Sequence, residues 1–440
     1  MSMVQGLNRQ QYQLEGQPFS NGGEGEIYNI SNQPNQVAKI YHSDRVSPEL
    51  ESKLKIMVNR PPSQAVLAQV AWPIDVLYET SGQFCGFIMP RLNIDVALKE
   101  LYEYPPQKYK NVSISQKICV AQNICAVISE VHKAGYVFGD FNPLNIGVNL
   151  VTGKVAFLDT DSYHILDQKT GNTYRCIVCL DGYVAPELLK ACENYPKDAY
   201  ATAPLPTFTQ QTDNFALAIH IFKLLMNGYT PYNGIAETAQ DSTASPGVGN
   251  NAIKHDNYCF KPGNKPQAVA VPPIDTLPEE IADLFTRAFM LGKLDPKQRP
   301  NAVEWHAALG RYEQSLQTCP SHNAHQYRNG LPTCPWCAAD QRYTNKISPP
   351  IPQQTFSTPV RFPQQPFPTP VRIPPQPVPA PVKTNRNIRS IIFGPWQIFP
   401  SNAPINKPSC RKGCVIFLII FGLFFLLAVI DGLIGSFTFN

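Results

Sequence analysis

Within Tyr136–Tyr163, YVFGDFNPLNIGVNLVTGKVAFLDTDSY, Asp140 is followed five residues later by Asn145, and Asp159 closes a short apolar run. These residue types at this spacing suit phosphoryl transfer, where a protein contributes positioning and charge neutralisation more than covalent chemistry. Asp140 is expected to orient or deprotonate the attacking hydroxyl. Asn145 and Asp159 are expected to hold Mg²⁺ (or Mn²⁺) against the phosphates of ATP. Taken alone, Asp-x4-Asn is common and fits a polar loop with a helix cap better, so the neighbouring sequence has to supply the remaining parts.

Upstream, FSNGGEGEIY carries Gly22, Gly23 and Gly25, and the strand-like VAKIY that follows carries Lys39. A glycine-rich hairpin lets backbone N–H groups approach phosphates closely, and a lysine on the next strand reaches the α and β oxygens. SPELESKLKIMV opens with Ser-Pro, a helix cap and first position. From that helix Glu51 is the acid expected to hold Lys39, with Glu49 the alternative; favourable placement at the helix dipole is the other account of both. FCGFIMPRL reads as a strand entering a hinge. Pro90 has no N–H, which leaves Met89 or Leu92 to supply a main-chain contact to adenine.

Downstream, Ile118–His132 has the apolar spacing of a buried helix. After Asp159 come Ala185-Pro186-Glu187, then Asp213 at the head of the apolar run DNFALAIHIFKLLMNG, then Arg299 in DPKQRPNAVEW. Glu187 and Arg299 are expected to form an ion pair, and Asp213 to hold the backbone of the loop that carries Asp140.

In this order, FSNGGEGEIY, VAKIY, GDFNPLN, LDTD, APE, DNFALA and QRP resemble the eukaryotic-type (Hanks-type) protein kinase superfamily, in particular bacterial serine/threonine kinases with a C-terminal zinc ribbon. The resemblance implies an α+β, bilobal fold over residues 10–313, with an N-lobe to residue 92 and a C-lobe from 93. It also implies ATP in the cleft, Gly22 and Gly25 over its phosphates, Lys39 on them, Asp140 as base, Asn145 and Asp159 on magnesium, and structural roles for Glu187, Asp213 and Arg299. Ser20 stands in place of the first loop glycine, Phe138-Gly139 in place of His-Arg, Asn142 in place of a phosphate-directed lysine, and Thr160-Asp161 in place of Phe-Gly. Without that arginine, a phosphorylated activation segment lacks its usual partner, which points to control by other means. Two other readings stay open: an ATP-binding pseudokinase scaffold, and a small-molecule phosphotransferase of the aminoglycoside or choline kinase type. Ala185-Pro186-Glu187, Asp213 and Arg299 favour a protein substrate over the latter.

In CPSHNAHQYRNGLPTCPWC, Cys319, His325, Cys334 and Cys337 have the spacing of a structural Zn²⁺ site, expected over residues 317–340, with His322 the rival histidine and a redox Cys-x-x-Cys the alternative. Cys176 and Cys179 lack a second pair and read as ordinary activation-segment thiols. A Pro/Gln-rich stretch, 345–410, repeats TPVRFPQQPFP as TPVRIPPQPVP; it favours an extended, solvated tether, or a ligand for a Pro-rich-motif-binding partner. Residues 414–434 are apolar all round except for Asp431, long enough to cross a bilayer, and preceded by Lys407, Arg411 and Lys412. They predict a single-pass C-terminal membrane anchor with the bulk of the chain in the cytosol. Twelve cysteines with no N-terminal secretory signal fit a reducing compartment, and the net charge of +4 implies no nucleic-acid partner.

Overall fold

The computed structural model describes residues 2–347 except 177, 196–206, 240–244 and 246, together with residues 437–438. Seven short strands build the N-terminal lobe: β1 (Met3–Gln5), β2 (Gln11–Gln13), β3 (Ser20–Asn21), β4 (Gly25–Asn29), β5 (Gln36–Tyr41), β6 (Asp75–Tyr78) and β7 (Phe84–Pro90). They form one antiparallel sheet in the order β2-β1-β6-β7-β5-β4-β3. The sheet therefore starts before residue 10, the boundary expected from sequence, because β1 pairs with both β2 and β6.

Side chains alternate across a strand, and β5 separates two cores by that rule. Val37 and Tyr41 join the main core with Ile27, Phe87 and Met89, while Ala38 packs on the other face with Val4, Tyr12, Leu14, Leu77 and Ile88. Lys39 shares parity with Val37 and Tyr41, so it points to the main core, between Ile27 and Phe87 on the flanking strands. Helix α1 (Pro48–Asn59) covers that face with Lys53, Leu54 and Met57, and Ser47 Oγ caps it by accepting from Leu50 N at 3.1 Å.

The C-terminal lobe is helical. Helix α2 (Ile114–Lys133) begins with a reciprocal Ser113/Gln116 capping box and packs against α4 (Gln210–Leu225) and α6 (Ala302–Gln314); α3 (Pro186–Cys192) and α5 (Glu279–Thr286) complete the lobe. Helix α4 is buried on nearly all sides from Thr212 to Leu225, as its largely apolar stretch from Phe215 requires. Between the lobes Ile146–Val148 pairs antiparallel with Val155–Phe157, in register Ile146↔Phe157, and Leu158 N donates to Asn145 O at 2.8 Å. That ladder sets Asn145 and Asp159 side by side, although they are far apart in sequence.

A hairpin, Leu316–Cys319 with His322–Arg328, and helix α7 (Pro335–Ile347) follow. They are not a separate module: Cys319, Tyr327, Cys334 and Trp336 belong to the same core as the C-terminal lobe. Ser115 N donates to Gln326 Oε1 at 2.9 Å, Arg342 Nε donates to Val269 O at 2.7 Å, and Tyr104 donates to Asp340. Helix α7 also runs through Ile347, past the expected start of the tether at 345, because docking on the lobe extends the helix. The rest of the tether and the anchor at 414–434 lie outside the described residues. Among the described residues no helix is long and apolar enough to cross a membrane. The dipeptide Phe437–Thr438 pairs antiparallel with Val178–Cys179.

Candidate active site

Lys39, buried on the interior strand β5, is the hub. Its Nζ lies 2.9 Å from Glu24 Oε2, 2.9 Å from Asp159 Oδ1 and 2.7 Å from Asp161 Oδ2. Burial works against its charge, but Asp159, Asp161 and Glu24 outweigh that and hold its pKa well above the ordinary lysine value. Asp161 is the deepest of the three acids, its side chain 3% exposed, and Tyr41 also donates to Asp161 Oδ2. Despite burial, Lys39 keeps the Asp161 carboxyl below its usual range.

The acid expected from helix α1 is not there. Glu51 accepts from Lys55 Nζ at 2.6 Å and from Tyr78 OH at 2.8 Å, and Glu49 is exposed in the first turn. The helical repeat explains this: Lys53, Leu54 and Met57 face inward, and Glu51 lies about 200° around the helix from Lys53. What the helix sends to the site is a lysine. Lys53 is buried and donates to the backbone carbonyl of Asp161. The helix therefore contributes a cation, and the loop two residues past Asp159 contributes the acid. Both signs were present in the sequence, as Lys53 and as the Thr160-Asp161 departure, but the pairing depends on the helix phase and on the turn after Asp159.

That turn is left-handed. Asp159 has φ 54°, a conformation that a non-glycine residue adopts at a cost of about 1–2 kcal/mol. Around it, Lys39 holds one carboxylate oxygen, Ser162 Oγ donates to Asp159 O at 2.7 Å, and Thr160 Oγ1 donates to Ala71 O at 2.6 Å. Burial, and then Asp161, push the Asp159 carboxyl up to about 6 against the pull of Lys39.

Asp140 is half-buried beside Asp159. Asn145 Nδ2 donates to Asp140 Oδ2 at 3.3 Å, while Asp140 Oδ1 has no hydrogen-bond partner among the described residues. Burial, and next the negative charge of Asp159, push the Asp140 carboxyl up to about 7, which suits a general base at neutral pH. The loop that carries it is fixed from below. Asp213 accepts from Phe138 N at 2.8 Å, from Gly139 N at 3.1 Å and from His132 Nε2 at 2.9 Å, as the sequence led us to expect. Buried His220, which the sequence reading did not single out, bonds Phe141 O through Nε2 at 2.9 Å and Tyr102 OH through Nδ1 at 2.7 Å. Glu187 and Arg299 form the expected bidentate pair, at 2.7 and 2.6 Å.

The departures in this loop have local causes. Phe138 joins an aromatic cluster with Phe141, Phe157 and Tyr163. Gly139 has φ 74°, and a Cβ there would stand 2.6 Å from Cys176 Cβ and 2.7 Å from Cys176 Sγ. No arginine fits at 139, because Cys176 of the activation segment occupies its space; that cysteine is thus a packing element of the catalytic loop rather than a bystander. Asn142 Oδ1 accepts from Leu144 N at 2.9 Å and shapes the turn that delivers Asn145.

The glycines divide their tasks. Gly22 N donates to Gly25 O at 2.9 Å, closing the turn, and Gly23 is exposed at its tip. Gly25 is buried, and a Cβ there would meet Ile40 O at 2.3 Å, so it is required by strand packing first and by any phosphate second. At the hinge Met89 is buried opposite Val37 and Arg91 N donates to Asn35 O at 2.8 Å, whereas Leu92 N has no partner among the described residues. Of the two candidates Leu92 is the one open to a purine.

The four predicted ligands of the hairpin and α7 also come together. Cys319 Sγ lies 3.6 Å from Cys337 Sγ, and His325 Nδ1 lies 3.4 Å from Cys337 Sγ and 3.7 Å from Cys334 Sγ. A tetrahedral zinc ion requires edges of about 3.8 Å between sulfurs and about 3.6 Å between sulfur and nitrogen, so the donor set fits. His322 stacks on the His325 ring at 4.1 Å and stays outside the cluster. Asp340 stands 3.5 Å from His325 Nε2, the outer carboxylate that commonly orients a metal-binding imidazole.

The sequence is 31% identical over 340 residues to Protein kinase YegI of Escherichia coli O157:H7, and equally to Protein kinase YegI of Escherichia coli strain K12, covering 74% of this chain in both cases. Over those residues the chain is similar in sequence to these protein kinases. It spans about half, 49%, of the length of these curated relatives. Among solved structures it is similar, at TM-score 0.46 and 10% identity, to the kinase domain of the Toxoplasma gondii specific rhoptry antigen, over 71% of this chain and 86% of that one. No family model matches the sequence.

Proposed function

We propose that this kinase-like chain transfers the γ-phosphoryl group of ATP to serine or threonine of protein substrates. The observation that carries the reading is that Lys39 pairs with Asp159 and Asn145 with Asp140, while the Asp159 charge acts on Asp140 and Asp213 holds the loop that carries it. Lys39 binds the phosphates, Leu92 N receives the adenine, and Asp140 accepts the proton of the acceptor hydroxyl through its unpaired Oδ1. Magnesium, held by Asn145 and Asp159, would neutralise charge on the phosphates. The contact between Glu24 and Lys39 favours a second reading, a nucleotide-binding scaffold, because this acid competes with a phosphate for the lysine.

The test is incubation of the full-length chain with Mg²⁺ and labelled ATP in three arms: generic Ser/Thr proteins, generic Tyr proteins, and aminoglycoside or choline. Label on serine or threonine supports the proposal. Binding without transfer points to the scaffold, and turnover of a small alcohol to the third reading.

Further parts of the proposal are a structural Zn²⁺ at Cys319, His325, Cys334 and Cys337, a tether that meets a Pro-rich-motif-binding partner, and membrane attachment through 414–434 with the kinase-like domain in the cytosol. A chain crossing a bilayer there leaves Phe437–Thr438 on the far side, so attachment and the pairing of that dipeptide with Val178–Cys179 are alternative states. Protease shaving of intact cells that spares the kinase-like domain supports the cytosolic placement; its digestion contradicts it.

A further inference from the structure

Lys223, in the last turn of α4, is a cation that the proposed chemistry does not use. Its Nζ lies 5.0 Å from the Tyr102 ring and 5.6 Å from the Tyr183 ring. It is half-buried and has no acidic partner among the described residues. Burial, and then the positive charge of Lys99, lower its pKa to about 8, with no carboxylate raising it. Lys99 is exposed and likewise has no acidic partner; Glu100 beside it is taken by Lys108 at 3.3 Å.

This pair of cations borders the catalytic loop. Lys99 N donates to Pro143 O at 3.3 Å, inside the loop between Asp140 and Asn145. The Tyr183 ring, one wall around Lys223, stacks on His220 at 4.7 Å, and His220 bonds Phe141 O, next to Asp140. Tyr102, the other wall, bonds the second nitrogen of His220. Tyr183 itself belongs to the stretch that leads from the activation segment into α3. The cations therefore lie beside the loop that must face an acceptor hydroxyl. Aromatic faces attract an ammonium group but do not neutralise it, so Lys223 against the Tyr102 and Tyr183 rings, with the charge of Lys99 acting on it, leaves net positive charge at this edge. An anion presented there would gain the attraction of both, at a half-buried site where screening is weak.

We propose that Lys223 and Lys99 form an anion-binding subsite that reads an acidic residue, aspartate, glutamate or a phosphorylated side chain, close to the accepting serine or threonine. The proposal rests on the phosphotransfer reading above and adds the substrate class: acidic peptides.

The test uses the full-length chain and serine peptides of one length, flanked by alanine, glutamate, phosphoserine or arginine. The expected result is kcat/KM at least tenfold higher for the glutamate than for the alanine series, with arginine lowest. In Lys223→Met and in Lys99→Glu the glutamate-to-alanine ratio should fall below about threefold, and Lys223→Arg should retain it. The phosphoserine series tells whether phosphate is preferred over carboxylate. A wild-type ratio near one, an arginine preference, or a ratio preserved in both variants overturns the proposal. If wild-type protein phosphorylates no peptide, the parent reading fails, and the subsite is then judged by polarisation of a labelled glutamate peptide. Weaker binding in Lys223→Met than in wild type upholds the subsite, and equal binding overturns it.

Discussion

Replacing Asp161 by asparagine separates the arrangement found here from the one in which the helix supplies the acid. The substitution keeps the shape and lets Tyr41 go on donating, but it removes the nearest negative charge from Lys39, at 2.7 Å. At an effective dielectric of about 20, that pair has a gross Coulomb energy of about 6 kcal/mol. Desolvation offsets part of it, and removing one partner of a buried pair costs about 3–5 kcal/mol. Asp159 and Glu24 remain on Lys39, so the loss in the transition state should be smaller, about 2–3 kcal/mol, or about 30- to 150-fold in kcat/KM for ATP. Asp161→Glu should recover part of the loss. Glu51→Gln removes only a half-exposed i,i+4 pair with Lys55, typically about 0.3–0.5 kcal/mol, and should change kcat/KM less than about threefold. Initial rates over a range of ATP concentrations, with melting curves to confirm folding, decide the matter. A Glu51→Gln loss as large as that of Asp161→Asn, or a folded Asp161→Asn within twofold of wild type, would refute the reasoning.

Three further outcomes follow from the same geometry. Glu24→Gln frees Lys39 from a half-exposed competitor for the phosphates, so ATP should bind several-fold more tightly; an unchanged or weaker Kd by calorimetry contradicts that account. Because the cysteine cluster shares the core of the C-terminal lobe, chelation of zinc or Cys337→Ser should lower the Tm of the whole lobe and release metal detectable by a zinc dye, whereas an unaltered melting curve after metal loss counts against it. Burial pushes His220 down to about 3, against about 6.5 unfolded, so the unfolded chain takes the proton first and stability falls as pH drops from about 6.5 toward 3, by up to about 1.4 kcal/mol per pH unit. Denaturant titrations of His220→Asn should show a shallower acid slope than wild type; parallel slopes exclude this role.

What the sequence disclosed was local or ordered along the chain. Asp140, Asn145, Asp159, Lys39, Glu187, Asp213 and Arg299 stand where the resemblance implied, because each is tied to a strand end, a loop or a helix start that the pattern marks. The gathering of Cys319, Cys334 and Cys337 was legible from spacing, and of the two histidines it is His325 that joins them. What was not legible depended on rotation or on distant packing. Glu51 and Lys53 are two residues apart, and only the phase of α1 against the sheet decides which one enters the site. Gly139 looked like a lost arginine; it is a position that Cys176 closes. His220 gave no sign in a largely apolar helix, since its two partners come from other elements. The docking of the hairpin and α7 on the lobe likewise rests on long-range bonds from Gln326, Asp340 and Arg342.

The central claim, that Asp140 serves phosphoryl transfer in a cleft where Lys39 and Asp159 hold the nucleotide, is tested most directly by Asp140→Asn in the full-length chain. Asparagine cannot accept the acceptor's proton but fits the same space beside Asn145. The account predicts Mg²⁺-dependent label on serine or threonine in wild type, a loss of at least about 100-fold in the variant, within the range typical of general-base removal, and a Kd for ATP within threefold of wild type. Phosphotransfer that persists undiminished in Asp140→Asn, or a wild-type protein that binds ATP and transfers nothing, would contradict it.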